Sequence, residues 1–474
     1  MEITRQPATK STVSIEKNRS YNDIVEYLDS HWTVTREQKS LAVVQELDKA
    51  LGYPSQAVNT ILIAGSNGKS LTGHFTTALL REEGLTVGNF YSPHILQYTE
   101  RIIINDESIA QKNFCEVANE VIGTAEKAGI VAHTHELLTL IALCYFKAQK
   151  VDVALLEIHE GGQYDATNIC HAKIATITRI TSTQAFSSPE KLKAALEETM
   201  GIVKEGTWLV SGDQIKAHLQ LMETMTKEQK GNWAMPIRKL AQLPYPFEQL
   251  HGRCAALAER IASMYVEKFV TYDATIVSDS LLSKPKGQRG RPTTEQKRHL
   301  ELNPKKTIDQ FWKEAHCSLQ ARFQLLEKEK PSILLDNASN VDAFENLLLG
   351  IRLLDYKKKL KGLTIIAAAA KDTLHCEEFL KAVRYFFKKT AGQIFICPLE
   401  NSVPGTQEES SWNTEAVAND LKVMKTKARA CKNFEEAFEA AHKSVDERNG
   451  LIVITGSQSI ISTFWKHKGI KKIH

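Results

Sequence analysis

Six residues, Gly65-Ser66-Asn67-Gly68-Lys69-Ser70, follow a short apolar run at 60–64 and precede a helical stretch reaching residue 83. Strand, glycine turn, lysine and helix start, in that order, make an anion site. Backbone N–H groups of the first helical turn can cradle a phosphate, and Lys69 can reach its outer oxygens. Ser70 follows the lysine, where a hydroxyl would meet a phosphate-bound Mg2+. The pattern departs from G-x-x-x-x-G-K-[ST] at its first glycine, where Ile63 stands. Farther on, a hydrophobic run at 151–158 ends close to Glu157. A carboxylate at the C-terminal end of a parallel strand, in the sheet that carries a phosphate loop, is placed to hold Mg2+. Tyr91-Ser92-Pro93-His94-Ile95 and Glu100-Arg101-Ile102 read on their own as a loop and the strand after it.

These groups need a frame to hold them. Tyr21, Ile24, Val25 and Leu28 recur at helical spacing. Val44, Leu47 and Leu51 form a second helical face, closed by Gly52 and Pro54. The runs at 60–64, 151–158 and 173–180 have strand length, and their alternation with helical stretches predicts a parallel α/β sheet. The pattern restarts later, with strands expected at 332–335, 363–369, 393–397 and 451–455 and helices at 341–353 and 377–387. The expected division is a loose N-terminus at 1–20, a first α/β domain at 21–282, a linker or insertion at 283–318 and a Rossmann-like domain at 319–474.

Residues 283–306 hold eight basic and two acidic side chains, a net +6, so the rest of the chain sums to −2 within the overall +4. Pro285, Pro292 and Pro304 interrupt any helix there, which reads as a solvated connection. Arg289-Gly290-Arg291-Pro292 resembles the core of a minor-groove hook, but four residues in a basic loop are weak support for a nucleic-acid partner. The chain has 474 residues, 42% hydrophobic and 24% charged, a composition that excludes wholesale disorder. Its near-neutral body excludes a polycation that coats nucleic acid or membrane. Eight scattered cysteines form no C-x-x-C pair, so neither a zinc site nor a dithiol is signalled. Polar first residues and no apolar run near ~20 residues lead to the expectation of a cytoplasmic protein without a secretory signal or membrane span.

The order of these pieces resembles the folylpolyglutamate synthase/dihydrofolate synthase family of the Mur ligase superfamily. Gly65-Ser66-Asn67-Gly68-Lys69-Ser70-Leu71-Thr72 is similar to its G-T-N-G-K-G-S-T, and Tyr91 to Ile95 with Glu100-Arg101-Ile102 to its T-S-P-H-L and E-R-I. His135-Glu136-Leu137-Leu138-Thr139 resembles F-E-x-x-T. The twelve residues from Glu157 to Asn168 resemble E-V-G-x-G-G-R-x-D-A-T-N. Ala321-Arg322-Phe323-Gln324 resembles G-R-x-E, and Asp336-Asn337-Ala338-Ser339-Asn340 resembles D-G-A-H-N. Lys371-Asp372 and Gly456-Ser457 match its K-D and near-terminal G-S.

The resemblance implies an N-terminal Mur-ligase-type P-loop ATPase domain with a mostly parallel sheet and a smaller C-terminal Rossmann-like α/β domain. It implies that ATP, with Mg2+, phosphorylates a carboxylate and that glutamate attacks the acyl phosphate to give an amide, ADP and phosphate. Lys69, Glu157 and Arg322 would be catalytic. Gly65, Ser66, Asn67, Gly68, Lys69, Ser70, Leu71, Arg322 and Asp336 would bind ATP. Ser92, Glu157 and Gln184 would hold the metal, and Asp165, Thr167 and Asn168 would bind substrate. Folate and glutamate are the implied partners of a monomer.

The departures fall on the chemistry. Thr183-Gln184 stands for the family's D-H, Thr199 for a lysine that is carbamylated in many members, and Ser339 for the His of D-G-A-H-N. Gln163 replaces the Arg of G-G-R, and Arg253 with Cys254 begins the segment where H-Q-x-x-N-A is expected. Lys173, Arg179 and His159 lie near enough in sequence to substitute for the lost groups. The alternative reading is a catalytically degraded relative that binds nucleotide or folate, or a ligase with another substrate.

Overall fold

The computed structural model describes residues 18–32, 39–181, 188–237, 239–270, 281–282, 306–400, 403–404 and 410–473. The expectations for Thr183, Gln184 and residues 283–305 lie outside these.

Two sheets organise the chain. The first runs in the order β4-β3-β2-β5-β1-β6-β7-β8. Its strands are β1 (Thr60–Ala64), β2 (Val87–Phe90), β3 (Ile102–Ile104), β4 (Glu107–Ser108), β5 (Val153–Glu157), β6 (Ile174–Ile177), β7 (Trp208–Ser211) and β8 (Asn232–Trp233). All pairings from β2 to β8 are parallel; β3 and β4 form an antiparallel edge. The central strands are apolar on both faces because helices cover both. Leu62 and Ala64 of β1 enter one core, and Ile61 and Ile63 enter the other.

The second sheet runs in the order β13-β12-β11-β14-β10-β9. It contains β9 (Gln324–Leu326), β10 (Ser332–Asp336), β11 (Leu363–Ala367), β12 (Gln393–Ile396), β13 (Ala428–Ala430) and β14 (Leu451–Thr455). Only the β9–β10 pair is antiparallel. Leu334 faces one core and Ile333 and Leu335 the other, so this sheet too is covered on both sides.

β1 lies between β5 and β6, both much later in the chain. The chain therefore leaves β1 toward β2 and returns on the other side at β6. In open α/β sheets that arrangement leaves a crevice beyond the carboxyl ends of the strands. Here those ends carry Gly65, Glu157 and Thr178.

Two expected boundaries look different in three dimensions. Arg19, inside the segment read as loose, is buried, pairs with Glu126, and its N–H donates to Asn119 Oδ1 at 2.9 Å. Ser20 caps the helix Tyr21–His31. At the far end of the expected linker, Phe311 and Trp312 of the helix Ile308–Glu314 are buried against the first sheet's core. Trp312 meets Phe75 edge-on with ring centroids 5.3 Å apart and donates its indole N–H to Glu259. Two aromatic side chains supply enough apolar area to fix a short helix that charge counting assigns to a linker. No described helix is long and apolar enough to cross a membrane.

Candidate functional site

The glycine turn after β1 is built for close approach. Gly65 has φ +126°, and a Cβ there would meet Thr178 Oγ1 at 2.2 Å and the Arg179 carbonyl oxygen at 2.9 Å. Gly68 has φ +87° and begins the helix Lys69–Glu82 as its N-cap. The end of β6 splints the turn. Ser66 N–H donates to the Arg179 carbonyl at 2.7 Å, and Thr178 Oγ1 donates to the Asn67 carbonyl at 2.8 Å. The four-residue turn keeps the free N–H groups of the helix start facing the crevice. Lys69 Nζ folds back onto the Gly65 carbonyl at 3.0 Å.

Glu157 ends β5 beside this turn and is only 4% exposed. Burial raises its carboxyl above the ordinary range, against the opposing fields of Lys69 and Arg322. Its Oε2 has no hydrogen-bond partner among the described residues. A buried, unpartnered carboxylate oxygen is costly unless a cation meets it, so the donor fits a divalent ion. Ser92 is buried next to it. Arg101 Nη1 donates to Ser92 Oγ at 3.2 Å, and His159 Nδ1 lies 2.9 Å from the same oxygen. Among the described residues no three His, Cys, Asp or Glu side chains form a metal-binding group. Any ion here would need Ser92, water and phosphate oxygens to fill its shell.

Arg322 arrives from just before β9, its Nη2 donating to Ser70 Oγ at 3.3 Å. Desolvation lowers its pKa, and Glu157 and Asp336 oppose that. Asp336 at the end of β10 is pushed up to about 6 by burial; it accepts from Phe323 N–H at 2.8 Å. Lys69, Glu157, Arg322 and Asp336 thus share one field, two from each half of the chain. Asn67 extends the bridge. Its Nδ2 donates to Asn340 Oδ1 at 3.1 Å and Asp342 Oδ2 at 2.8 Å, and Asn340 Nδ2 returns a bond to Asn67 Oδ1 at 2.8 Å. Arg179 closes the set with an ion pair to Asp342 at 2.9 Å. A cavity of about 480 Å3 opens beside these groups, lined among others by Gly68, Leu71, Arg253, Cys254, Arg322 and Asp336.

The Gly-rich turn after β5 is held by Asp165. This buried carboxylate accepts from His159 N–H at 2.8 Å, from Thr167 N–H at 3.0 Å and Thr167 Oγ1 at 2.6 Å, and from His135 Nε2 at 3.2 Å. Burial alone would raise its pKa, but the charge and hydrogen bond of His135 and the bond from Thr167 outweigh that and hold it well below the usual range. Asn168 Nδ2 donates to the carbonyls of Gln163 and Gly201. Asp165 and Thr167 are thus turned toward the turn itself, and only Asn168 Oδ1 is left without a partner among the described residues.

Of the three basic substitutes, Lys173 precedes β6 and sits at the opposite end of the sheet from the glycine turn. Arg179 and His159 both reach the site. Thr199 spends its hydroxyl on the Ala195 carbonyl of its own helix at 2.7 Å. Ser339 is exposed, and exposed Lys371 and Asp372 line neither this cavity nor the neighbouring one of about 410 Å3 around Tyr91, His94 and Gln324. Sequence reasoning missed the roles of Thr178, Arg101 and Asp342. Arg101 is fully buried, donating to His94 Nδ1 at 2.8 Å and to Ser92, with Trp32 and Tyr98 rings against it. Its place in Glu100-Arg101-Ile102 was a signal, but nothing in that triplet says what the guanidinium touches.

A phosphate-type turn on one parallel sheet, facing an arginine and a carboxylate carried by a second sheet, defines a two-domain P-loop fold of the Mur ligase type. No protein-family model matches the chain. It is 27% identical over 224 residues to the dihydrofolate synthase/folylpolyglutamate synthase of Bacillus subtilis, 46% of this chain and 49% of that protein. The chain thus matches about half the length of this relative. The solved folylpolyglutamate synthase of Mycobacterium tuberculosis complexed with ADP superposes with a TM-score of 0.73 at 19% identity, covering 95% of this chain and 98% of that one. The bifunctional folylpolyglutamate synthase/dihydrofolate synthase of Yersinia pestis complexed with AMPPNP and a Mn ion gives 0.71 at 21%, covering 95% and 98%. At those identities the structures speak for the fold. The chain is thus similar in sequence to folylpolyglutamate synthase/dihydrofolate synthase proteins over about half its length, and it shares their fold over nearly all of it.

Proposed function

We propose that this protein is an ATP-dependent acid–amino-acid ligase that joins glutamate to a folate or pteroate carboxylate, releasing ADP and phosphate. The observation that carries the reading is Glu157, a buried carboxylate with an unpartnered oxygen beside the glycine turn, flanked by Lys69 from its own sheet and Arg322 from the other. In this reading the nucleotide lies in the cleft between residues 21–282 and 319–474. The N–H groups and side chains of Gly65 to Leu71 hold its phosphates, and Asp336 and Arg322 close over it from the second sheet. Ser92 and Glu157 hold a Mg2+ that neutralises charge on the transferring phosphoryl group when bound. Arg322 adds a fixed positive charge at the same place, in a site where low dielectric strengthens it. Asp165 and Thr167 shape the turn beside the acyl substrate, and Asn168 offers it Oδ1. The reading places the protein in the cytoplasm, where its cysteines would stay free thiols.

Purified full-length protein, given ATP, Mg2+, glutamate and dihydropteroate or tetrahydrofolate, should release ADP only when the pterin is present. Lys69→Ala should lower that rate at least ~100-fold, on the scale of removing one preorganised charge from a phosphoryl-transfer site. Equal ADP release with and without pterin sinks the folate assignment. One observation favours a second reading, a nucleotide-binding relative with little turnover: Thr199 has its hydroxyl tied into its own helix. That reading predicts a thermal shift with ATP and no pterin-dependent ADP.

A further inference from the structure

We propose that His159 is a ligand of the divalent cation, completing with Ser92 and Glu157 a site that the chain's own residues build. The inference deepens the ligase reading and rests on it. His159 stands where the pattern resembled by Glu157 to Asn168 has a glycine, so its side chain is an addition at this turn. Its Nδ1 lies 2.9 Å from Ser92 Oγ. On an ion with bonds of about 2.1 Å, two ligands at right angles lie about 3.0 Å apart. The observed spacing matches one edge of an octahedron, and a modest rotation of each side chain would turn its lone pair from the other onto the ion. Coordination would replace the present Ser92–His159 hydrogen bond.

The imidazole is held in place from two sides, the ring packing on His135 and Trp32 with centroids 4.9 and 6.0 Å away, while the His159 backbone N–H donates to Asp165 Oδ2 at 2.8 Å and fixes the main chain. Supporting contacts of this kind fix a ligand's orientation. Glu157 supplies the negative charge. It is two residues away on the same strand end, its Oε2 lacks a partner among the described residues, and its carboxyl also accepts from the Ser92 backbone. The opposing charges are Lys69 and Arg322 near Glu157, and Arg101 on Ser92 Oγ at 3.2 Å. Three cations around one carboxylate disfavour an ion that binds alone. The ion should therefore bind together with a nucleotide, whose phosphates offset those cations and fill the remaining positions. Nitrogen ligation also predicts a preference for Mn2+ over Mg2+ larger than an all-oxygen site gives.

The test uses full-length protein labelled with 15N-histidine, loaded with Mn2+ and ADP, and read by electron–nuclear double resonance and by Mn2+ titration. The expected result is a 15N coupling of a directly bound imidazole in the unsubstituted protein. It should be absent in His159→Ala and His159→Gln, with Mn2+ affinity lowered about 10-fold or more, at least the cost of disturbing a contact that only supports a ligand. Metal-free ADP affinity should be unchanged in both. Three results overturn the inference. Mn2+ binding that depends on Glu157 but shows no 15N coupling is the first, and it leaves the ligase reading standing. A coupling that persists in His159→Ala is the second, and it assigns another histidine. Absence of both Mn2+ and nucleotide binding in the unsubstituted protein removes the inference and the ligase reading together. The first observation is made on the unsubstituted protein and does not depend on whether a variant folds.

Discussion

Asp165 shows how one buried residue sets the chemistry of its neighbours. It gathers donors from His159, Glu160, Thr167 and His135 and has almost no exposure to water. Its folded pKa lies below the unfolded value of about 3.9, so the stability it contributes is fully present above pH ~4 and is lost as pH falls through the folded pKa. Asp165→Asn keeps the shape but loses the charge and some of the acceptor capacity. It should destabilise the protein by about 3 kcal/mol near neutrality, the scale of leaving buried donors unmet. Thermal unfolding midpoints followed from pH 7 to pH 2 check this. The gap to the unsubstituted protein should narrow below about pH 4, and a gap that widens there would contradict the assignment. Sequence marked Asp165 within a motif, but its partners are 2 to 30 residues away and no spacing announces them.

At the scale of elements, the glycine turn and the helix it starts are the most exacting pieces. Gly65→Ala would place a methyl group 2.2 Å from Thr178 Oγ1 in a backbone conformation that L-residues avoid. The turn must then shift away from β6, and in the ligase reading nucleotide affinity should fall at least ~10-fold, an effect of misplacing at once the several N–H groups that reading assigns to phosphate. Gly84→Ala is the control. It too has positive φ, +80°, but a Cβ there meets nothing within 4 Å, so it should cost about 1 kcal/mol and leave nucleotide affinity intact. Calorimetric titration with ADP separates the two, and equal affinities would show that the close approach is unimportant. The helix Ile308–Glu314 yields a second element-level expectation. Trp312→Ala empties a fully buried site and should destabilise by about 3–5 kcal/mol, visible as a lowered midpoint in denaturant.

At the scale of the molecule, the site exists only because two sheets meet. Asn67, Asn340, Asp342 and Arg179 form a polar latch across the cleft. Arg179 is about half exposed, with side-chain exposure of 48% against 26% for Asp342. Their coupling should therefore be small, about 0.5–1 kcal/mol by double-mutant cycle, and should weaken with salt. Asp342→Ala also removes an acceptor of Asn67 and should weaken ADP binding roughly 3- to 10-fold, or about 0.7–1.4 kcal/mol. An unchanged affinity at low salt would show that the latch does not hold the closed cleft.

The sequence by itself determined the α/β class, the sheet-forming runs, the glycine turn with Lys69, and the carboxylate of Glu157 at a strand end. These follow from local periodicity and from turn chemistry, which neighbouring residues dictate. The helix at 308–314 escaped because its stability comes from Phe75 and Glu259, which are distant in sequence. The face Arg322 presents to Ser70, the saturation of Asp165, the burial of Arg101 and the meeting of His159 with Ser92 were decided only by tertiary structure. Each depends on at least one partner carried by a different element of the fold. Such contacts are fixed by how whole layers pack, and the chemistry of a cleft belongs to those contacts rather than to any single motif.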